Sequence, residues 1–290
     1  MKKQIYLVIT FLVISLSGHA QQSNIVHEKR TYKHVGGQEL TADIFYTAET
    51  KRESGNPAIA LFHGGGWAFG SPSEFFSTCE RYAEMGFVTF SFSYRLSIKA
   101  DGTVPHPEIT PVESTMDARS ALRWLKENAE ELRIDPEKII VGGQSAGGQL
   151  ALATALLDKV NDSSDNQEID PEPCALLLFS SNVNTVEAWL DRLLDDRRDE
   201  IWSISPFHNL KPGMPPAIEF HGSEDNQVPY WVVEYFMFRT RQLGNHFEHI
   251  KFEGKQHYLA EGDDTYSTYY DEAILERVDR FLEEQGLMPK

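Results

Sequence analysis

KIIVGGQSAGGQLALATAL, residues 138–156, decides how the rest of the chain is read. Ile139, Ile140 and Val141 are a short β-branched run of the kind that fills a buried strand, and Leu150, Leu152 and Leu156 follow at helical spacing. Between the two lies a knot of small residues. The spacing predicts strand, sharp turn and helix, with Gly143, Ser145 and Gly147 fitting G-x-S-x-G. Small residues on either side of a serine let the chain turn tightly enough to present one hydroxyl above the sheet. Ser145 is therefore the candidate nucleophile.

Working outward, strands alternate with amphipathic helices along the whole chain. Arg30–Tyr46 alternates around Gly36-Gly37 and predicts an edge hairpin. Ala58–Phe62 is a strand that runs straight into His63-Gly64-Gly65-Gly66-Trp67, a loop whose bare N–H groups suit an oxyanion. A helix over 71–85, a strand over 87–94 and a helix over 115–130 come next, with Asp135-Pro136 breaking the chain before the serine strand. The polar stretch 97–112, with three prolines, reads as a loop bordering a cleft. Asp117, near the start of the helix over 115–130, suits the helix dipole, and Arg95 and Asp117 either brace that loop as an ion pair or stay solvated.

Beyond residue 157 an acidic loop leads to a strand at 175–179. Segment 185–202 is amphipathic and reads either as a cap over a site or as an ordinary crossover helix. Strands at 215–221 and 247–252 and helices at 232–243 and 274–282 complete the pattern. Such alternation builds one α/β domain with a mostly parallel sheet covered on both faces.

In a sheet of this kind ligands bind at the carboxyl ends of the strands. The glycine loop, Ser145, Asp225 and His257 each stand just after a strand, in the chain order nucleophile, acid, base. A serine hydroxyl needs a base to take its proton, and a histidine base needs a carboxylate to fix its tautomer. Of the ten histidines, His257 has the right place; His63 is better suited to ordering the glycine loop. Glu224, adjacent to Asp225, stays open as the acid.

HGGGW at 63–67, SYRL at 93–96, DARSALRWL at 117–125, GQSAGG at 143–148, HGSEDNQVP at 221–229 and GKQH at 254–257 together resemble the esterase and lipase branch of the α/β-hydrolases. The resemblance covers nearly all of residues 21–290 and implies the α/β-hydrolase fold. It implies Ser145 as nucleophile, His257 as base, Asp225 as acid, and an oxyanion hole from the N–H groups of Gly65, Gly66 and Ala146. Trp67, closing the loop, is expected to touch substrate. The stretch after SYRL is longer and more polar than the compact proline-rich loop usual in hormone-sensitive-lipase-like esterases.

The chain also resembles exported carbohydrate esterases that remove acetyl or feruloyl groups, so a carbohydrate ester is the expected small-molecule partner. The alternative is an amide-bond hydrolase of the same fold, of formamidase or peptidase type; a catalytically silent binding protein is the third reading. No metal or organic cofactor is implied, since a triad carries its own proton transfers.

Residues 1–20, with Lys2, Lys3, an apolar run and Gly18-His19-Ala20, read as a secretory signal cut near Ala20, giving a secreted or periplasmic protein. Its removal takes the formal charge from −17 to −19, because Lys2 and Lys3 are its only charged side chains. A surface that acidic repels nucleic acid and anionic lipid, and no later stretch is long and apolar enough to span a bilayer. Cys79 and Cys174 read as small hydrophobes rather than a disulfide.

Overall fold

The structure, a computed structural model, describes residues 24–50, 55–187, 189–259 and 272–289. The signal segment 1–20 lies outside the described residues. Eight strands form one sheet in the order β1-β2-β4-β3-β5-β6-β7-β8. β1 (Ile25–Val35) and β2 (Gln38–Thr47) make the edge hairpin, pairing Val35 with Gln38 across Gly36 (φ 58°) and Gly37 (φ 75°). Positive φ at both turn positions is what a two-residue hairpin needs and what glycine supplies. β2 joins β4 (Val88–Phe92) antiparallel, and every pairing from β4 onward is parallel.

β3 (Asn56–Phe62), β4 and β6 (Ala175–Phe179) are buried along their whole length, as strands covered on both faces must be. One face carries α2 (Pro111–Glu127), α4 (Ala146–Leu156) and α6 (Tyr230–Gln242). The other carries α1 (Phe76–Glu84) and α7 (Glu272–Glu284). α4 is buried on every side, which is why its sequence shows no polar stripe. Cys79 is buried on the α1 face and Cys174 is half-buried; neither is paired. Among the described residues no helix is long and apolar enough to cross a membrane.

Three expectations need correction. Asp135-Pro136 lies inside β5 (Ile134–Gln144) rather than before it. Pairing with β3 jumps there from Asn56↔Ile134 to Ala58↔Ile139, and this irregularity accommodates a proline that has no N–H for the ladder. Segment 185–202 is not one helix: the four-residue α5 (Asp191–Leu194) is followed by 3-10 turns over 195–202, with Asp195 at φ 47°. Asp117 stands a turn and a half into α2, too far along to serve its N-terminus. A capping box of Thr110 and Glu113 fills that role, with α3 (Ala129–Leu132) continuing the chain beyond the helix.

Asp117 is instead a buried anchor. Arg95 binds it through Nε and Nη2, both at 2.7 Å, and Lys33 reaches it at 3.0 Å. Lys33 also meets Asp162 at 2.7 Å, so the acidic loop after α4 is tied to the edge hairpin. Arg95 and Lys33 together offset the cost of burying the Asp117 carboxylate, and removing either would leave buried charge without its partner.

Candidate active site

β5 ends at Gln144 and α4 begins at Ala146, so the turn between them is Ser145 alone. Its backbone stands at φ 54°, ψ −116°, a conformation that a side chain ordinarily avoids. The surroundings hold it there. Ser145 N donates to Phe179 O at 3.0 Å, and its carbonyl accepts from Gln149 N at 3.2 Å and Asn182 N at 3.0 Å. A Cβ on Gly147 would lie 2.0 Å from the Phe62 carbonyl, so β3 and α4 can approach this closely only over a glycine.

The glycine loop is held from beneath. Buried His63 donates from Nδ1 to Gly64 O at 2.8 Å and stacks on Tyr94 at 4.3 Å, while the Tyr94 hydroxyl donates to His63 O at 2.9 Å. Burial pulls the His63 imidazole down to about 4, so it stays neutral at pH 7. Gly65 takes φ 107°, and a Cβ there would stand 2.2 Å from Phe69 O. Among the described residues the N–H groups of Gly65, Gly66 and Ala146 donate to nothing. Gly65, Gly66 and Ser145 line the same cleft.

Asp225 lies in the turn after β7 (Ala217–Gly222), and His257 follows β8 (Phe247–Phe252). Asp225 Oδ1 accepts from Gln227 N at 2.8 Å and Val228 N at 2.9 Å, and Oδ2 accepts from His257 Nδ1 at 2.8 Å. Burial pushes the Asp225 carboxyl up, but hydrogen bonds from His221 and His257 outweigh it and hold it well below the usual carboxylate range. Glu224 is exposed, which leaves Asp225 as the carboxylate facing the ring. With its proton on Nδ1, His257 offers Nε2 as an acceptor, and the Gln144 side-chain amide occupies it at 3.1 Å. Among the described residues no hydrogen bond joins Ser145 to His257. In a resting site the nucleophile and base are often apart and meet only around substrate.

The cleft has a volume of about 620 Å³. Its walls add Phe69, Asn182, Trp189, Arg192, Asn226, Gln227 and Tyr258 to the residues already described. Trp67 is not among them, contrary to the expectation that it touches substrate. Its φ of 58° turns the indole inward, where it is fully buried with Nε1–H donated to Gln149 Oε1 at 2.9 Å. The loop 97–112 does not line the cleft either; Ser97 N donates to Trp67 O and braces the glycine loop from behind. Trp189 and Arg192 bring segment 185–202 to the cleft wall.

Gln144 and Phe69 were not singled out in the sequence; the position before the serine in G-x-S-x-G and an aromatic two residues after HGGGW are the signals that point to them. Asn182 and Arg192 carried no sequence signal.

The BD-FAE family profile matches residues 42–237. Ser145 and Asp225 fall inside that span and His257 outside it. The fold is similar to that of Thermogutta terrifontis esterase 2, in a structure phosphoramylated by tabun, at 33% identity and a TM-score of 0.80 over 91% of this chain and 97% of that one. The propionate-bound structure of the same esterase gives 32% identity and a TM-score of 0.81, covering 91% of this chain and 96% of that one. Lipase 2 of Moraxella sp. (strain TA144) is 27% identical over 239 residues, 71% of this chain and 53% of that protein. The chain thus spans about half the length of this curated relative.

Proposed function

The chain belongs to the BD-FAE family, in the esterase and lipase branch of the α/β-hydrolases, and from that membership we propose a serine carboxylesterase acting on short-chain esters, with acetyl or feruloyl esters of carbohydrates as its substrate class. One observation carries the reading: a serine forced into a strained elbow opens into the same cleft as a buried histidine already oriented by a carboxylate.

Ser145 Oγ attacks the ester carbonyl carbon while His257 Nε2, released by the Gln144 amide, takes its proton. The carbonyl oxygen gathers negative charge as the tetrahedral intermediate forms, and the unpartnered N–H groups of Gly65, Gly66 and Ala146 are the donors at hand for it. His257 then protonates the departing alcohol, leaving an acyl group on Ser145. A water molecule repeats the sequence and frees the acid. Asp225 keeps the proton of the resting ring on Nδ1 and stabilises the imidazolium at each transfer.

Cleft chemistry supports the substrate class. Phe69, Trp189 and Tyr258 offer flat faces for a sugar ring or an aromatic acyl group, with Asn226 and Gln227 beside them. An acyl chain gains roughly 0.8 kcal/mol per methylene only where an apolar trough buries it. Segment 185–202, which borders the cleft, carries nine charged residues instead. The propionate bound by the Thermogutta esterase supports a short acyl group here too. The signal-like residues 1–20 support export, which would place the enzyme where such esters occur.

The test is a screen of aryl esters of graded chain length beside acetylated and feruloylated oligosaccharides, with Ser145→Ala as control. Short esters should be cleaved with higher kcat/KM than those of ten or more carbons, and the variant should lose about 10³-fold or more. Preference for long emulsified esters, or amide hydrolysis with negligible esterase activity, would overturn the reading.

A further inference from the structure

Behind the Asp225–His257 pair the structure holds a second acid–imidazole pair, whose histidine opens the HGSEDNQVP motif and whose acid lies two residues before it. Glu219 and His221 are two residues apart on β7, so their side chains leave the same face of the sheet, and both are fully buried. His221 Nδ1 lies 2.9 Å from Glu219 Oε1. His221 Nε2 lies 2.9 Å from the Val228 carbonyl and 3.2 Å from Asp225 Oδ2. All three partners accept hydrogen bonds and none donates. A neutral imidazole has one N–H, so one of its nitrogens would turn a lone pair toward an oxygen inside the core. With both carboxyl groups ionised, only the imidazolium satisfies the site.

We propose that Glu219 and His221 are positioning residues for the hydrolytic site: a protonated His221, anchored by Glu219, holds the triad acid Asp225 and tunes the charge that His257 meets. The proposal rests on the reading of Ser145, Asp225 and His257 as a triad.

The pair has a hold on both ends of that triad. Glu219 Oε1 also accepts from Ser181 N at 2.9 Å, and the next residue, Asn182, donates its N–H to the carbonyl of Ser145. The same carboxylate therefore fixes the backbone under the nucleophile and the cation beside the acid. Without His221 the buried carboxyl groups of Glu219 and Asp225 would have no cation between them. Burial by itself would lower the His221 imidazole, but its hydrogen bonds to Asp225 and Glu219 prevail and push it up to about 10.

The other groups facing His221 are few. His249 on β8, in register with Glu219, is pulled down by burial, and its Nε2 has no partner among the described residues. Tyr230 at the start of α6 presents its ring at 6.1 Å and stacks on His249, and Lys251, in register with His221 on β8, holds its ammonium over the Tyr230 ring at 5.2 Å from the centroid. Neither supplies a charge that would replace the imidazolium.

Opposite substitutions should move the site in opposite directions. Protonating His257 is opposed by the positive His221 and favoured by the negative Glu219, with His221 the nearer because it touches Asp225 directly. In His221→Gln the acid limb of the kcat/KM profile should therefore move to higher pH, by about half a unit or more. In Glu219→Gln, which keeps an acceptor for Nδ1 but removes a negative charge, it should move to lower pH. A residue needed only for folding would lower the rate without displacing the limb in either direction.

The experiment pairs these profiles, measured on a short-chain aryl ester, with ¹⁵N-histidine NMR of the wild-type protein. The expected spectrum at pH 8 has both ring nitrogens of His221 protonated. A neutral His221 at pH 8, or a limb that stays fixed or moves the same way in both variants, overturns the proposal. Should His221→Gln fail to fold, the NMR result and the Glu219→Gln profile decide alone. Failure of the triad reading shows separately, as wild-type activity undiminished in Ser145→Ala, because the ring protonation is read without turnover.

Discussion

The two oxygens of Asp225 have separate tasks: Oδ1 is fixed by two backbone N–H groups, and Oδ2 meets the rings of His257 and His221. In Asp225→Asn an amide replaces an acceptor that two N–H donors address, so the His257 ring is driven toward the wrong tautomer. kcat should fall about 10⁴-fold with the fold retained. Glu224→Gln should stay within about twofold, because that side chain is exposed and only its backbone N–H is engaged, with Lys255 O. Steady-state kinetics of the two variants checks the ranking, and the reverse order would move the acid by one residue. That Ser145, Asp225 and His257 come to the same end of the sheet was legible because each follows a strand in a fixed order and each is flanked by turn residues. Glu219 and His221 were not, because in a strand as short as AIEFHG two buried polar residues at alternate positions look like the solvent face of an edge strand.

Elements meet most closely where β3, β5 and α4 cross beneath the serine. Gly147→Ala places a carbon 2.0 Å from Phe62 O and 2.5 Å from His63 O, both backbone atoms that cannot swing aside. It should destabilise the protein by roughly 1–3 kcal/mol, or more if β3 resists, and reduce turnover by shifting the elbow. Urea unfolding with activity measured in parallel is the check, and an unchanged midpoint would mean that the crossing is looser than described. Regular elements were largely legible, since periodicity reports how a strand or helix is buried. The crossover-helix reading of segment 185–202 fails because Leu190, Leu193, Leu194 and Ile201 reach the core from separate short turns. Those turns are pinned individually: Arg197 binds Glu113 at 2.7 Å, and Thr185 Oγ1 donates to Ile201 O at 2.8 Å. Helical spacing in the sequence cannot distinguish such staples from a continuous face.

For the whole molecule, two buried imidazoles of opposite character set how stability depends on pH. His63 is held neutral at about 4, so below its ordinary 6.5 the unfolded chain binds the proton more readily and stability falls toward pH 4, by roughly 3 kcal/mol at the limit. His221 is raised to about 10, so its contribution is complete below 6.5 and is lost as pH rises toward 10. Asp225 and Asp162 are held below the usual carboxylate range, and their contributions are lost only in stronger acid. The urea midpoint should therefore peak near pH 6.5 and decline on both sides, the formal charge of −17 steepening the alkaline decline. A midpoint climbing steadily from pH 5 to 9 would contradict these protonation states. The unpaired sulfurs give the same molecule a clock. Cys79 is fully buried on the sheet-facing side of α1, and burial pushes its thiol far above the ordinary range, with Cys174 pushed up to about 12. Since the thiolate is the reacting form, an alkylating reagent meets Cys79 only in the fraction of molecules whose α1 layer has lifted from the sheet. The rate of mass gain at that one atom thus counts openings of the core directly, with no denaturant and no substrate.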